Sequence, residues 1–180
     1  MKQVVTLALA VLAGAAAVAA AGACDPVHDD KVAALGPETQ GVRQGPLHRP
    51  GQPCLVCHDG ALGDPQRFTL AGTIYETLGS TTPAAGATVV VTDATGAKHE
   101  LPATNAAGNF YVTPGQLDPA FPLQITVRGS QGQSVVMQSL VLGNGTVEPD
   151  GSCAGCHVDP PGAASPGRVC LQLDDGGTPP

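Results

Sequence analysis

The chain has 180 residues, 8 of them basic and 15 acidic, for a net charge of −7 near neutral pH. That balance argues against a nucleic-acid partner. The length suits one compact domain with flanking segments, not two large cores. With three Phe, two Tyr and no Trp, a large core built from protein alone is not expected outside one β-rich region.

Residues 1–23 read as an export signal: Met1-Lys2, an uncharged Ala/Val/Leu-rich run from Val4 to Ala20, then Ala21-Gly22-Ala23 immediately before Cys24. A membrane-spanning anchor is the alternative, because the apolar run is nearly long enough to span; the small-residue ending favours cleavage. Small residues followed by Cys24 resemble the lipobox of bacterial lipoproteins, with Ala21 where that family usually carries Leu. The resemblance implies diacylation of Cys24 and a stable membrane anchor through two chains. Ordinary cleavage at the same bond would leave a soluble protein, in which Cys24 could pair with Cys170. Without residues 1–23 the chain keeps seven basic against fifteen acidic residues, a charge of −8.

Residues 24–69 show no sustained periodicity and are punctuated by Pro26, Pro37, Pro46, Pro50, Pro53 and Pro65. Such a segment cannot bury enough apolar surface to fold by itself. Residues 143–173 have a similar composition, and Asp174 to Pro180 read as a disordered tail. Residues 70–142 differ. Leu123, Ile125 and Val127 alternate with Gln124, Thr126 and Arg128, as Ala87, Val89 and Val91 do with Thr88, Val90 and Thr92. This is the period-2 pattern of half-buried strands. Further strands are expected near Leu70–Thr77, Ala97–Leu101, Asn109–Thr113 and Ser134–Leu142. Asp93-Ala94-Thr95-Gly96 and Asn105-Ala106-Ala107-Gly108 supply hairpin turns.

This middle region resembles the carboxypeptidase regulatory-like (transthyretin-like) β-sandwich family. The resemblance is carried by Ala71-Gly72-Thr73-Ile74-Tyr75, Pro83 to Val89, Val91 to Gly96 and Thr104 to Phe110. It implies a non-catalytic accessory module, a scaffold with no active site, and nothing in it implies a cofactor.

The poor segments hold the chemistry. Cys54-Leu55-Val56-Cys57-His58 and Cys153-Ala154-Gly155-Cys156-His157 are two C-x-x-C-H motifs, the signature of covalent haem c attachment. Two cysteines three apart on one turn can each add to a vinyl group on one porphyrin edge, and the following His can take an axial position on iron. Pro53 can open the first turn, Ser152 can cap the second, and Pro160 limits its length. Zinc is a rival, but about 95 residues separate the motifs, beyond the usual spacing. A thioredoxin-like site needs a βαβ setting, and plain disulfides are the third rival. None of these requires a His after the second Cys. The motifs resemble those of multihaem c-type cytochromes generally.

Each iron needs a sixth ligand or an open site. His48, six residues before Cys54, is the leading candidate, since histidines shortly before such motifs are common distal ligands in multihaem cytochromes. His28 is the second. His99, between Lys98 and Glu100, reads as an exposed strand residue, and Met137 as core. Cys24 and Cys170 are left over.

The expected fold is therefore mainly β. A single immunoglobulin/transthyretin-like sandwich over 70–142 is flanked by irregular haem-binding segments at 24–69 and 143–173, each with a short helical turn. The expected function is that of an exported dihaem electron carrier and not an enzyme, lodged in the periplasm or at the cell surface. Its expected partners are other redox proteins and the membrane. No Ser/His/Asp, paired-carboxylate or phosphate-loop constellation rises above background. The alternatives are a small-ligand haem enzyme with one open distal site, or a structural module braced by haem.

Overall fold

The computed structural model describes residues 26–38, 40–60, 66–143 and 151–172. The signal segment, Cys24 and the C-terminal tail lie outside them. The chain divides into two units at Leu35 and Gly36. The first contains α1 (Pro26–Ala34), where the sequence reading expected irregular chain. Pro26 needs no N–H partner in a first turn, and Asp29 complements the helix dipole there. Val27, Asp29, Asp30 and Lys31 are all exposed, so the helix has no apolar stripe for a periodicity search to detect.

The second unit is mainly β. Its strands are β1 (Leu70–Thr73), β2 (Tyr75–Thr77), β3 (Thr88–Thr92), β4 (Lys98–Glu100), β5 (Asn109–Val112), β6 (Gln124–Arg128), β7 (Ser134–Val136) and β8 (Cys170–Gln172). They form a four-stranded sheet in the order β4-β3-β6-β7 and two pairs, β1-β5 and β2-β8. The alternation read from the sequence sets the register. Val89 opposes Val127 and Val91 opposes Ile125 across β3 and β6, and all four are buried. With Leu70, Ile74, Phe110, Val112, Leu123 and Leu171 they make one core shared by the four-stranded sheet, β1, β5 and β8. Each such side chain contributes about 1.5–3 kcal/mol on burial.

The Asp93–Gly96 turn joins β3 to β4 as a hairpin, with Gly96 at φ 83°. The Asn105–Gly108 turn forms too, with Gly108 N–H donating to the Asn105 carbonyl at 2.8 Å. It is not a hairpin, however. β4 pairs with β3, and β5 pairs with β1, so this turn carries the chain from one sheet to another. β7 ends at Val136, well short of Leu142; beyond it Met137 still bonds to Ile125 and Gln124 of β6, and Val141 bridges Leu123 just before that strand.

The C-terminal segment is less irregular than its composition suggests. Gly151 O accepts the Ala71 N–H at 2.8 Å, and Ser152 bridges Ala71 in parallel. Further on, β8 runs parallel to β2, Tyr75 opposite Cys170. Both pairings span long stretches of sequence, and no local pattern announces them. Their consequence is that β1 has β5 on one edge and the start of the second C-x-x-C-H motif on the other.

Candidate functional site

The two motifs fold into the same local structure. Each begins with an extended residue, Pro53 or Ser152, and continues into a 3-10 turn, Cys54–Val56 or Cys153–Gly155. In both, the carbonyl of the first cysteine accepts two N–H groups. Cys54 O takes those of Cys57 at 3.2 Å and His58 at 3.0 Å; Cys153 O takes those of Cys156 at 3.2 Å and His157 at 2.9 Å. Two cysteines and a histidine are thereby displayed from one tight turn, twice, by different intervening residues.

Two details differ from the sequence expectation. Pro53 precedes the turn and does not occupy its first position. Ser152 stands where a cap would, but makes no capping bond, and its buried hydroxyl has no partner among the described residues. A genuine cap lost to alanine costs about 0.5–2 kcal/mol, whereas an unsatisfied buried hydroxyl is itself unfavourable by about 1–3 kcal/mol. Ser152→Ala should therefore leave the unfolding free energy unchanged or raise it by about 1 kcal/mol in urea denaturation; a loss of that size would restore the cap.

β1 is the bed for both turns. Ala71 packs with Leu55, Phe68 and Cys54 in a small cluster. The next residue, Gly72, faces Cys153, whose Cβ and Sγ lie 2.7 and 2.8 Å from where a Gly72 side chain would begin. Successive strand residues point to opposite faces, so adjacent positions of one strand serve the two motifs. Cys54 and Cys153 are close enough for one to influence the other's ionisation.

Burial pushes the Cys54 thiol up to about 11, a backbone hydrogen bond opposing it and Cys57 reinforcing it. Burial pushes Cys153 up to about 12, reinforced by Cys54 and Cys156. An unfolded thiol ionises near 9. These raised folded values stabilise the chain with free thiols fully below about pH 9 and lose that contribution as pH rises toward 11–12. Melting temperatures of the haem-free protein should fall over that range, and Cys54→Val with Cys153→Val should flatten the slope. Equal slopes in the two chains would contradict the assignment.

The histidines are held. His157 Nδ1 donates to Gly167 O at 2.9 Å, and Ser165 braces the same loop by donating to Val158 O and accepting the N–H of Val158 and of Gly167. His48 Nδ1 meets both the N–H and the carbonyl of Gly45. The His157 ring, whose Nδ1–H goes to a backbone carbonyl, keeps its Nε2 lone pair for a metal. The His48 ring lies 6.0 Å from that of His58, centroid to centroid. His58 also packs on Phe68 at 4.3 Å, and Phe68 stacks on Tyr111 at 4.8 Å.

The other candidates are placed elsewhere. His99 Nε2 pairs with Asp93 Oδ2 at 3.1 Å within the β3–β4 hairpin, and the Asp93 carboxyl is held down to about 2 by the Thr95 hydroxyl first and by His99 next. Met137 packs on the main core. His28 lies in α1, in the first unit. None of the five described cysteines is in a disulfide, and the Cys24–Cys170 pairing lies outside the described residues. Among those residues no three His, Cys, Asp or Glu side chains cluster as metal-ion ligands, and no helix is long and apolar enough to cross a membrane.

Sequence reading missed the residues that seat the His48 loop. Thr73 Oγ1 accepts the Gly51 N–H and donates to Asn109 Oδ1, both at 2.7 Å. Asn109 Nδ2 donates to the carbonyls of Pro46 and His48, both at 3.2 Å, and Asn105 Nδ2 donates to Pro46 O at 2.6 Å. Asn109 in a strand is the signal that was available, because Asn is disfavoured there. No family model, curated protein or solved structure matches the chain.

Proposed function

We propose that this protein is an exported dihaem c-type cytochrome that passes single electrons between redox partners. Cys54, Cys57 and His58 hold one haem, and Cys153, Cys156 and His157 hold the other. The observation that carries the reading is the meeting of the two motifs on β1: about 95 residues apart in sequence, they adopt one turn geometry side by side. Haems anchored from neighbouring positions of one strand would be held as a pair, which suits electron exchange between them.

The donor set fits the group. Each turn offers two thiols and an imidazole, and His157 is already oriented by a carbonyl. The His48 and His58 rings lie 6.0 Å apart, centroid to centroid, near enough that both could reach one group held at the first motif, which supports His48 as the distal ligand of the first haem. His28 remains an iron-ligand candidate on residue type alone. When bound, each haem supplies a one-electron Fe(III)/Fe(II) couple. The chain's own part is to hold the thioethers, orient the imidazoles and exclude water through Leu55, Phe68 and Ala71.

The β strands then form the transthyretin-like sandwich that scaffolds both haem segments, with Cys24 as the lipid anchor at a bacterial membrane. The acidic surface suits basic or neutral faces of other redox proteins. Spectroelectrochemical titration with small mediators tests the carrier role. Both haems should reduce and reoxidise reversibly, with little change on adding carbon monoxide. Stoichiometric carbon monoxide binding would favour small-ligand chemistry, and haems inert to mediators a structural role.

A further inference from the structure

The loop carrying His48 has little regular structure of its own, yet it is fastened from two directions. From outside, Arg49, at a positive φ of 48°, pairs with Glu38 at 3.6 Å and donates to Gly36 O at 3.1 Å and Gln52 Oε1 at 2.8 Å. From inside, Thr73 and Asn109 stand opposite each other in the β1–β5 register, only 4 % and 7 % exposed. Buried strand positions ordinarily favour apolar, β-branched residues, and a buried amide is unfavourable unless its bonds are made. Here they are made to the loop. Gly51 N–H is taken by Thr73, and the carbonyls of Pro46 and His48 by Asn109.

These bonds fix the backbone at His48 itself and on both sides of it, while Gly45 fixes the ring. A ligand on an unfastened loop binds only in the fraction of time it occupies the right place, and its effective affinity falls by that fraction. We infer that Thr73 and Asn109 are positioning residues for the His48 imidazole, clamping its loop so that the ring stays opposite His58. The inference rests on His48 being the distal ligand of the first haem.

The test uses the full, haem-loaded chain. Thr73→Val keeps shape and removes the hydroxyl; Thr73→Ser restores it. Asn109→Asp keeps the oxygen that accepts from Thr73 and removes the donor to the loop carbonyls. Val89→Ala controls for general loss of stability, and His48→Ala marks complete loss of the ligand. Thr73→Val and Asn109→Asp should convert part of one haem from low-spin to high-spin in EPR and raise its affinity for added imidazole about tenfold or more. Thr73→Ser and Val89→Ala should stay low-spin. In the haem-free chain, Thr73→Val should speed exchange of the Gly51 amide hydrogen. If Thr73→Val does not fold, Asn105→Asp removes one clamp bond at the loop's rim and should give a smaller shift in the same direction. A high-spin His48→Ala beside low-spin clamp variants would overturn the clamp and leave the ligand standing. An unchanged His48→Ala spectrum would overturn both.

Discussion

Replacing Gly72 by valine is expected to lower the unfolding free energy by about 1–3 kcal/mol and, on the proposed dihaem reading, to cost the protein most of the haem at the second motif. No left-handed backbone is involved, so the argument is one of space alone. A side chain at residue 72 would begin 2.7 Å from Cys153 Cβ, 2.8 Å from its sulfur and 3.1 Å from the Phe110 ring. Phe110 is buried in the main core, so Cys153 is the neighbour that must move, and with it the sulfur offered for attachment. Gly115→Ala is the control, since nothing lies within 4 Å of its added carbon, and its effect should stay within about 0.5 kcal/mol. Urea denaturation and covalent haem per chain are the readouts. A Gly72→Val protein with full stability and two haems would mean that the second motif does not depend on β1.

Truncating Leu123 to alanine should have the larger effect on stability, about 2–5 kcal/mol, and almost none on haem content. Leu123 is fully buried, and its backbone exchanges two hydrogen bonds with Val141 at 2.8 and 3.0 Å. It lies in the core made by the strands, which both motifs lean on but do not complete. The loss should therefore be similar in haem-free and haem-loaded protein. A loss seen only with haem bound would show that the core needs the cofactor to form.

The strands were legible where the period of two survives in the sequence, as in Leu123 to Val127, where Leu123, Ile125 and Val127 are buried and Gln124 and Thr126 are not; in β3 the hidden feature is that Val90 is buried along with Val89 and Val91. The two C-x-x-C-H motifs stand out by their spacing, which is the one thioether attachment of a haem would require. Three kinds of feature were not legible. α1 lacks an apolar stripe, so a propensity-driven helix leaves no periodic trace. β8, the Ser152 bridge and the role of the Asn105 turn depend on pairings between distant segments, which sequence order does not encode locally. The Thr73 and Asn109 hydrogen bonds to the His48 loop were hidden in residues already accounted for as parts of the expected strands Leu70–Thr77 and Asn109–Thr113. The segments flanking the strands were read as too poor to fold by themselves. Where described, they are held by hydrogen bonds to β1, β5 and β2 and by burial of Leu55, Phe68 and Ala154 against the strands.

Full-length protein, expressed with a cytochrome c maturation system and quantified independently, should give a c-type pyridine haemochrome spectrum at about two haems per chain, as two such motifs require. Alanine in place of Cys54 and Cys57, or of Cys153 and Cys156, should leave about one haem in each case. An exported, folded chain carrying no covalent haem would contradict this reading and make both motifs metal sites or disulfides on a β protein.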